Sequence, residues 1–227
     1  MKLLLIPGSG AGGQNWLFQI QHFPGSEGIS LPGHPDGKPL STIPEYVEWL
    51  YDYIHKKGYK DVVLGGHSLG GGIALQYALK YGTELKGLIL VGTGARLRVL
   101  PDTLNTLKGL IGNDAEWRKY VDLTPIPDQR LEPARQVKIR IGPAILLNDL
   151  LACDKFDVMN ELQNIKVPTL IIVGTEDIMT PVKYSQFLAN KIPGSKLVVI
   201  QGATHGVAQE KPTEVNTAIE EFLSSVD

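Results

Sequence analysis

Short runs rich in leucine and β-branched residues alternate with amphipathic segments along most of this chain, and no other feature constrains the fold as strongly. The strand-like runs cover residues 2–6, 28–31, 61–65, 85–91, 169–173 and 196–200. Between them, apolar side chains recur with helical spacing, for example Ile43, Tyr46, Val47 and Leu50. Apolar strands separated by helices are typical of a parallel sheet whose two faces are both covered. We therefore predict an α/β fold with a mostly parallel sheet and helices on both of its faces.

The alternation is interrupted once, between residues 95 and 158. No convincing strand occurs there, residues 124–133 include three prolines, and the apolar spacing near residues 104–111 and 145–150 favours helices. A long insertion between two strands is typical of a functional lid, although a poorly recognised part of the core is the alternative. We predict that residues 1–94 and 159–227 form the core and that residues 95–158 form a helical cap.

The composition excludes several classes of protein. The 22 Lys and Arg residues nearly balance the 24 Asp and Glu residues, so no basic surface predicts nucleic-acid binding. The apolar run at the start of the chain is too short for a membrane span or a secretion signal, and we expect a cytoplasmic protein. The single cysteine, Cys153, allows no intramolecular disulfide and no multi-thiolate metal site. No sequence feature indicates an oligomeric state.

The segment Gly66-His67-Ser68-Leu69-Gly70 matches the pattern G-x-S-x-G. It lies between a buried-strand run and a segment that begins a helix, which is where a nucleophilic serine is held on a sharp turn. Glycines two positions before and after the serine are needed because side chains there would collide with the neighbouring strand and helix. The alternative is a glycine-rich junction in which Ser68 only caps the helix.

A serine hydroxyl needs a base, and the base needs a group that fixes its tautomer. His205 lies in the loop after the last strand, and Asp177 follows the strand at residues 169–173, so both lie beyond carboxyl ends of strands, where ligands collect in such sheets. The order serine, acid, histidine is the one that accompanies this type of turn. Glu176 is an immediate competitor of Asp177, whereas His67 is expected to point away from the serine.

The loop after the first strand, residues 8–13, has two interpretations. Gly8, Gly10 and Gly13 satisfy the dinucleotide-binding pattern G-x-G-x-x-G. However, no acid follows the second strand to bind a ribose. The interpretation that we favour is an oxyanion loop, in which the N–H groups of Ser9 and Leu69 stabilise a developing alkoxide.

Together these residues resemble the α/β-hydrolase family, over nearly the whole chain. The similar segments are the first-strand loop with Trp16, the Pro32-Gly33-His34 turn, the serine turn, the strand before Asp177 and the His205 loop. Pro7 stands where the family often has a histidine. The resemblance implies that the chain starts at the family's third strand, so that a six-stranded sheet is expected. It also implies a cap at residues 95–158, as in small capped carboxylesterases.

The sequence thus predicts a serine hydrolase that acts on a small carboxylic ester or thioester, with Ser68, His205 and Asp177 as a catalytic triad. We expect no metal and no organic cofactor. A hydrolase-like ligand receptor without catalysis and, less favoured, a nicotinamide-dependent oxidoreductase are the alternatives. Five side chains are candidates for the wall of the substrate pocket, although cap packing would equally account for most of them. These are Trp16, Leu104, Leu107, Trp117 and Tyr120.

Overall fold

The computed structural model describes residues 1–226, and within them six strands form one sheet. The strands are β1 (Lys2–Ile6), β2 (Glu27–Gly28), β3 (Val62–His67), β4 (Leu85–Val91), β5 (Thr169–Gly174) and β6 (Lys196–Ile200). Their order across the sheet is β2-β1-β3-β4-β5-β6, and every neighbouring pair is parallel. The predicted six-stranded parallel sheet is confirmed.

Helices cover both faces of this sheet. The helices of the described residues are α1 (Leu17–His22), α2 (Ile43–Lys57), α3 (Leu69–Tyr81), α4 (Pro101–Leu110), α5 (Asp114–Asp122), α6 (Glu132–Asp154), α7 (Val182–Lys191), α8 (Val207–Glu210) and α9 (Pro212–Val226). Of these, α4 and α5 pack on α6 rather than on the sheet. Successive residues of a strand point to opposite faces. In β1, Leu4 and Ile6 therefore pack in the cluster formed with α2, α3 and α7, whereas Leu3 and Leu5 pack in the cluster formed with α8 and α9. Burial on both faces accounts for the apolar strand runs.

Helix α2 shows how the local sequence sets the ends of an element. Thr42 accepts a hydrogen bond from the Glu45 N–H at 3.3 Å, and the Glu45 carboxylate accepts one from the Ser41 N–H at 2.9 Å. This reciprocal capping satisfies amides that have no partner inside the helix. At the other end, Gly58 adopts φ +65°, a left-handed conformation that glycine adopts without strain.

The edge strand β2 is shorter than the sequence predicts. The apolar residues Ile29 and Leu31 suggested a strand over residues 28–31, and both side chains are indeed buried. The Ile29 N–H still donates to Leu5 O at 2.9 Å, but the ladder between β2 and β1 consists of two residue pairs only. The apolar residues at positions 29 and 31 therefore indicate that this segment is buried, and not that it continues as a strand.

The segment between β4 and β5 is helical and contains α4, α5 and α6. Helix α6 is broken at Gly142, whose φ of +79° interrupts the helical conformation before Pro143. The two ends of the segment lie side by side, because the Val158 N–H donates to Ala95 O at 2.8 Å and Arg96 forms an antiparallel bridge with Asp157. Within residues 1–226, no helix is both long enough and apolar enough to cross a lipid bilayer.

Candidate active site

Ser68 occupies the turn between β3 and α3, with φ +53° and ψ −116°. A Cβ atom added to Gly66 would lie 2.1 Å from Gly70 O, and one added to Gly70 would lie 2.4 Å from Ile6 O. These distances are far shorter than any van der Waals contact, so both positions require glycine. The turn thus brings the start of α3 against β3 and the end of β1, as the sequence pattern indicates.

Neighbouring backbone groups hold the serine in this conformation. The Ser68 N–H donates to Val91 O, at the end of β4, at 3.1 Å. The Thr93 hydroxyl donates to Ser68 O at 2.8 Å. Ser68 O also accepts the Gly72 N–H of α3 at 3.1 Å, so hydrogen bonds to β4, to the loop after it and to α3 together hold the strained dihedral angles.

His205 and Asp177 meet beyond the carboxyl ends of β6 and β5. The His205 Nδ1–H donates to Asp177 Oδ2 at 2.9 Å. The Asp177 side chain is fully buried, whereas 18% of the His205 side chain is exposed. Glu176, the competitor in sequence, is exposed. The structure therefore pairs the histidine with Asp177.

The Asp177 carboxylate is held by four donors. Oδ1 accepts from the N–H groups of Met179 and Thr180 at 2.9 and 2.8 Å, and Oδ2 accepts from the Thr180 hydroxyl at 2.7 Å as well as from His205. Burial raises the pKa of Asp177, but the hydrogen bonds from His205 and Thr180 and the charge of His205 outweigh it, so that the net pKa lies below the usual value. An ionised carboxylate accepts the Nδ1 proton, which leaves Nε2 of His205 as the proton acceptor.

His67 connects the serine turn to the histidine loop, a role that the sequence interpretation missed. Its Nε2–H donates to His205 O at 2.9 Å, and the two imidazole rings lie 4.6 Å apart. Burial, with a contribution from the neighbouring His205, lowers the pKa of His67 to about 3, so this ring is neutral at pH 7. Through this hydrogen bond the residue supports the backbone of the candidate base.

The loop after β1 lies directly against the serine turn. A Cβ atom added to Gly8 would lie 2.9 Å from His67 Nδ1 and 3.3 Å from Ser68 Cβ, so only glycine allows this approach. Leu69 is the first residue of α3, where an N–H has no partner inside the helix. In the part of the chain that the structure describes, the Ser9 N–H donates to no backbone or side-chain acceptor. The two candidate oxyanion donors thus belong to the loop that contacts the serine turn and to the first residue of α3.

Comparison with known proteins places this arrangement in a family. The sequence model of the "Alpha/beta hydrolase family" matches residues 3–218. The chain belongs to the α/β-hydrolase family. The match includes the glycine loop, Ser68, Asp177 and His205 as well as the segment between β4 and β5.

Individual relatives of this α/β-hydrolase differ in what they act on. A solved structure of a thermophilic esterase is 38% identical, with a TM-score of 0.82, and the match covers 99% of this chain and 90% of that one. The pimeloyl-[acyl-carrier protein] methyl ester esterase of Neisseria meningitidis is 28% identical over 90% of this chain and 86% of that protein. The proline iminopeptidase of Saccharolobus solfataricus is 30% identical over 74% of this chain and 64% of that protein.

The glycine loop of this α/β-hydrolase is unsuited to a pyrophosphate group. The Gly10 N–H donates to the buried carboxylate of Asp149 at 2.8 Å, so it is occupied, and a phosphate placed there would meet a like charge. A Cβ atom added to Gly13 would lie 2.1 Å from Gly28 O, which shows that Gly13 allows packing against β2. The glycines thus have local roles that involve no dinucleotide.

The candidate pocket residues lie in two places. Trp16 is buried beneath the site, with its ring edge-on to His67 at 6.5 Å between centroids, and it lines a small cavity together with Gly206 and Gln209. The other four pack among α4, α5 and α6, where Leu107 and Trp117 are buried and Leu104 and Tyr120 are partly buried. In residues 1–226, no group of three or more His, Cys, Asp and Glu side chains is arranged to hold a metal ion.

Leu146 of α6 packs against the glycine loop, although it was not among the predicted pocket residues. A Cβ atom added to Gly10 would lie 2.9 Å from Leu146 Cδ1. Helical spacing predicted that Leu146 lies in a helix, but it could not indicate which face of that helix meets the site. The contact depends on how the segment between β4 and β5 folds back over the sheet.

Proposed function

We propose that this α/β-hydrolase is a serine hydrolase that cleaves a small carboxylic ester or thioester through an acyl-enzyme on Ser68. The observation that carries the proposal is the His205–Asp177 pair at the sheet edge where the serine turn lies. The buried, ionised carboxylate fixes the imidazole in the tautomer that can accept a proton at Nε2. The esterases among the relatives support the choice of ester chemistry.

In the first half of the reaction, Ser68 Oγ attacks the carbonyl carbon of the substrate while its proton passes to His205 Nε2. The carbonyl oxygen becomes an alkoxide, which the N–H groups of Ser9 and Leu69 stabilise. When the tetrahedral intermediate collapses, the bond to the alcohol or thiol breaks and the imidazolium gives its proton to the leaving group.

In the second half, water attacks the acyl-enzyme. His205 accepts a proton from the water and then returns it to Ser68 Oγ as the carboxylic acid leaves. The imidazolium that forms transiently in both halves is stabilised by Asp177, whose four hydrogen bonds keep it in place.

Residues 95–158 serve as the cap of this site in our proposal. Their ends are joined at the Ala95–Val158 hydrogen bond, and Leu146 lies over the glycine loop, so the segment lies beside the serine turn. A cap at this position restricts the size of the acyl group and excludes water from the acylation step. We accordingly expect short acyl chains to be preferred.

The test uses p-nitrophenyl acetate, butyrate and octanoate, a thioester and a p-nitroanilide, with wild-type protein and two serine variants. Ser68→Ala should reduce kcat by several orders of magnitude while leaving the unfolding midpoint close to that of the wild type. Ser185→Ala is the matched control, because this buried hydroxyl lies on α7 and has no hydrogen-bond partner among residues 1–226.

A fluorophosphonate probe followed by peptide mapping tests activation and position together. We expect the label on Ser68 in the wild type and in Ser185→Ala, and no label in Ser68→Ala. Full turnover in Ser68→Ala, or a label on another residue, would contradict the assignment. Absence of turnover and label in the wild type, combined with ligand-dependent thermal shifts, would instead favour a non-catalytic receptor.

A further inference from the structure

A buried carboxylate connects α6 to the glycine loop. Asp149 lies on α6, and its side chain is completely inaccessible to solvent. Its Oδ2 atom accepts hydrogen bonds from the Gly10 N–H and from His34 Nε2, both at 2.8 Å. Its Oδ1 atom accepts a longer bond from the Tyr46 hydroxyl at 3.4 Å. A buried carboxylate without such partners would be strongly destabilising.

His34 completes this buried group. Its Nδ1 lies 3.1 Å from Pro32 O, which can only accept, and its Nε2 faces the carboxylate. Both ring nitrogens therefore face acceptors, an arrangement that suits a protonated imidazole. Burial by itself lowers the pKa of His34. The hydrogen bond and the charge of Asp149 raise this pKa by a larger amount, so that the net pKa lies above the usual value.

One face of α6 contacts the glycine loop at three points. Leu146 packs on Gly10, Asp149 binds the Gly10 N–H, and Cys153 Sγ lies 3.8 Å from Ser9 Oγ. The three residues are separated by three and four positions, so they follow one another along a single helix face. Gly8, on the other side of Ser9, is fixed against His67 and Ser68. Ser9 is thus held between two anchored glycines.

We propose that Asp149 is a positioning residue that fixes the oxyanion loop through the Gly10 amide, so that the Ser9 N–H is aligned with the developing alkoxide. This rests on the proposed function, in which Ser9 supplies an oxyanion donor. Gly10 adopts φ +63°, and a glycine linkage without an anchor samples many conformations. The hydrogen bond from the Gly10 N–H to the Asp149 carboxylate restricts that freedom, so that the Ser9 N–H is held ready as a donor.

Asparagine at position 149 cannot make the same contacts while His34 is present. In the wild type one oxygen atom accepts from both Gly10 and His34. If the amide oxygen takes that place, His34 either stays protonated in the interior without a counter-charge, or becomes neutral and turns the lone pair of Nδ1 towards the carbonyl oxygen of Pro32. If the amide nitrogen takes it, the Gly10 N–H meets another donor. Replacing His34 by glutamine as well removes the conflict, because the glutamine amide can donate to the asparagine oxygen.

The test compares Asp149→Asn, the double variant Asp149→Asn/His34→Gln and the control Tyr46→Phe. We expect Asp149→Asn to lower kcat about 10- to 100-fold with KM within about twofold, since a displaced catalytic group can reduce the rate by about 10²-fold. Binding of a trifluoromethyl ketone, which forms a tetrahedral alkoxide on the serine, should weaken by the same factor. The double variant should recover most of kcat, and Tyr46→Phe should stay within about twofold of the wild type.

Hydrogen exchange at the Gly10 amide gives a readout that does not depend on activity. The amide should exchange slowly in the wild type and in Tyr46→Phe, and faster in Asp149→Asn. Unchanged exchange in a folded Asp149→Asn variant, or a loss confined to KM, would overturn the proposal. If Asp149→Asn does not fold, the double variant is used instead. A folded double variant in which the Gly10 amide exchanges slowly but kcat is low would also overturn the proposal. Failure of the proposed function would appear separately, as absence of turnover and of Ser68 labelling in the wild type.

Discussion

Replacing Ser68 with glycine should stabilise the fold relative to replacing it with alanine. Both substitutions remove the hydroxyl, so they differ only in the backbone that each residue prefers. Ser68 has φ +53° and ψ −116°, a region that residues with a Cβ rarely adopt. Holding such a residue there costs about 1–3 kcal/mol, which alanine retains and glycine relieves.

The expected difference follows from two opposing contributions. Glycine relieves the strain in the folded state but gains freedom in the unfolded chain, which offsets about 0.5–1 kcal/mol. The two ranges leave the glycine variant more stable than the alanine variant by about 0–2.5 kcal/mol, and their midpoints give about 1 kcal/mol. For a chain of 227 residues, 1 kcal/mol corresponds to roughly 2–4 °C in the unfolding midpoint.

Urea unfolding followed by far-ultraviolet circular dichroism measures this difference directly. Ser185 provides the control, because it lies inside α7, where the order of the two variants should reverse. In a helix interior glycine is less stable than alanine by about 1 kcal/mol. If Ser68→Gly unfolds at lower urea than Ser68→Ala, the turn is not strained in the way that the dihedral angles indicate.

Three further predictions concern other parts of the site. Asp177→Asn should lower kcat by about 10⁴-fold in a folded protein. An amide nitrogen facing His205 Nδ1 favours the tautomer that has its proton on Nε2, which cannot accept the serine proton. A variant with more than a tenth of the wild-type kcat would contradict this role. Gly66→Ala should abolish folding or strongly lower the free energy of unfolding, since the new Cβ would lie 2.1 Å from a carbonyl oxygen. Gly82→Ala is the control: among the described residues no packing neighbour lies within 4 Å of the new Cβ, so the stability in urea should be unchanged or slightly raised. The partly buried His67 is neutral in the folded protein, whereas the unfolded chain binds a proton at this side chain. The free energy of unfolding should therefore decline as the pH falls below 6.5 towards 3, by at most about 1.4 kcal/mol per pH unit, and the decline should be smaller in His67→Asn. Parallel stability curves of the two proteins would rule out this role.

The elements of the sheet could be predicted because each depends on a short stretch of sequence. The bounds of β1, β4 and β6 coincide with their predicted ranges. In β1 and β4 most of the apolar run is buried on both faces, which is a strong local signal. The edge strand β6 is only partly buried, and its β-branched residues carry the signal instead. The edge strand β2 was predicted too long because burial of Ile29 and Leu31 resembles strand alternation. At this position a buried irregular segment and a strand have the same pattern of apolar residues, so the sequence does not distinguish them.

The candidate site was predicted where chemistry and chain order agree. Ser68, Asp177 and His205 each follow a predicted strand, and parallel strands bring their carboxyl ends to one edge. The supporting residues could not be found in this way. His67 was assigned no role because its partner lies 138 positions away, and the bond between His34 and Asp149 spans 115 positions.

The sequence by itself determined the parallel sheet, the glycine-lined serine turn and the order of the three polar residues, because each is set by the periodicity or steric needs of neighbouring residues. Only the tertiary structure decided which carboxylate pairs with His205 and which face of α6 meets the glycine loop. Those contacts depend on how segments far apart in the chain pack, and a helical pattern specifies a buried face without specifying what covers it.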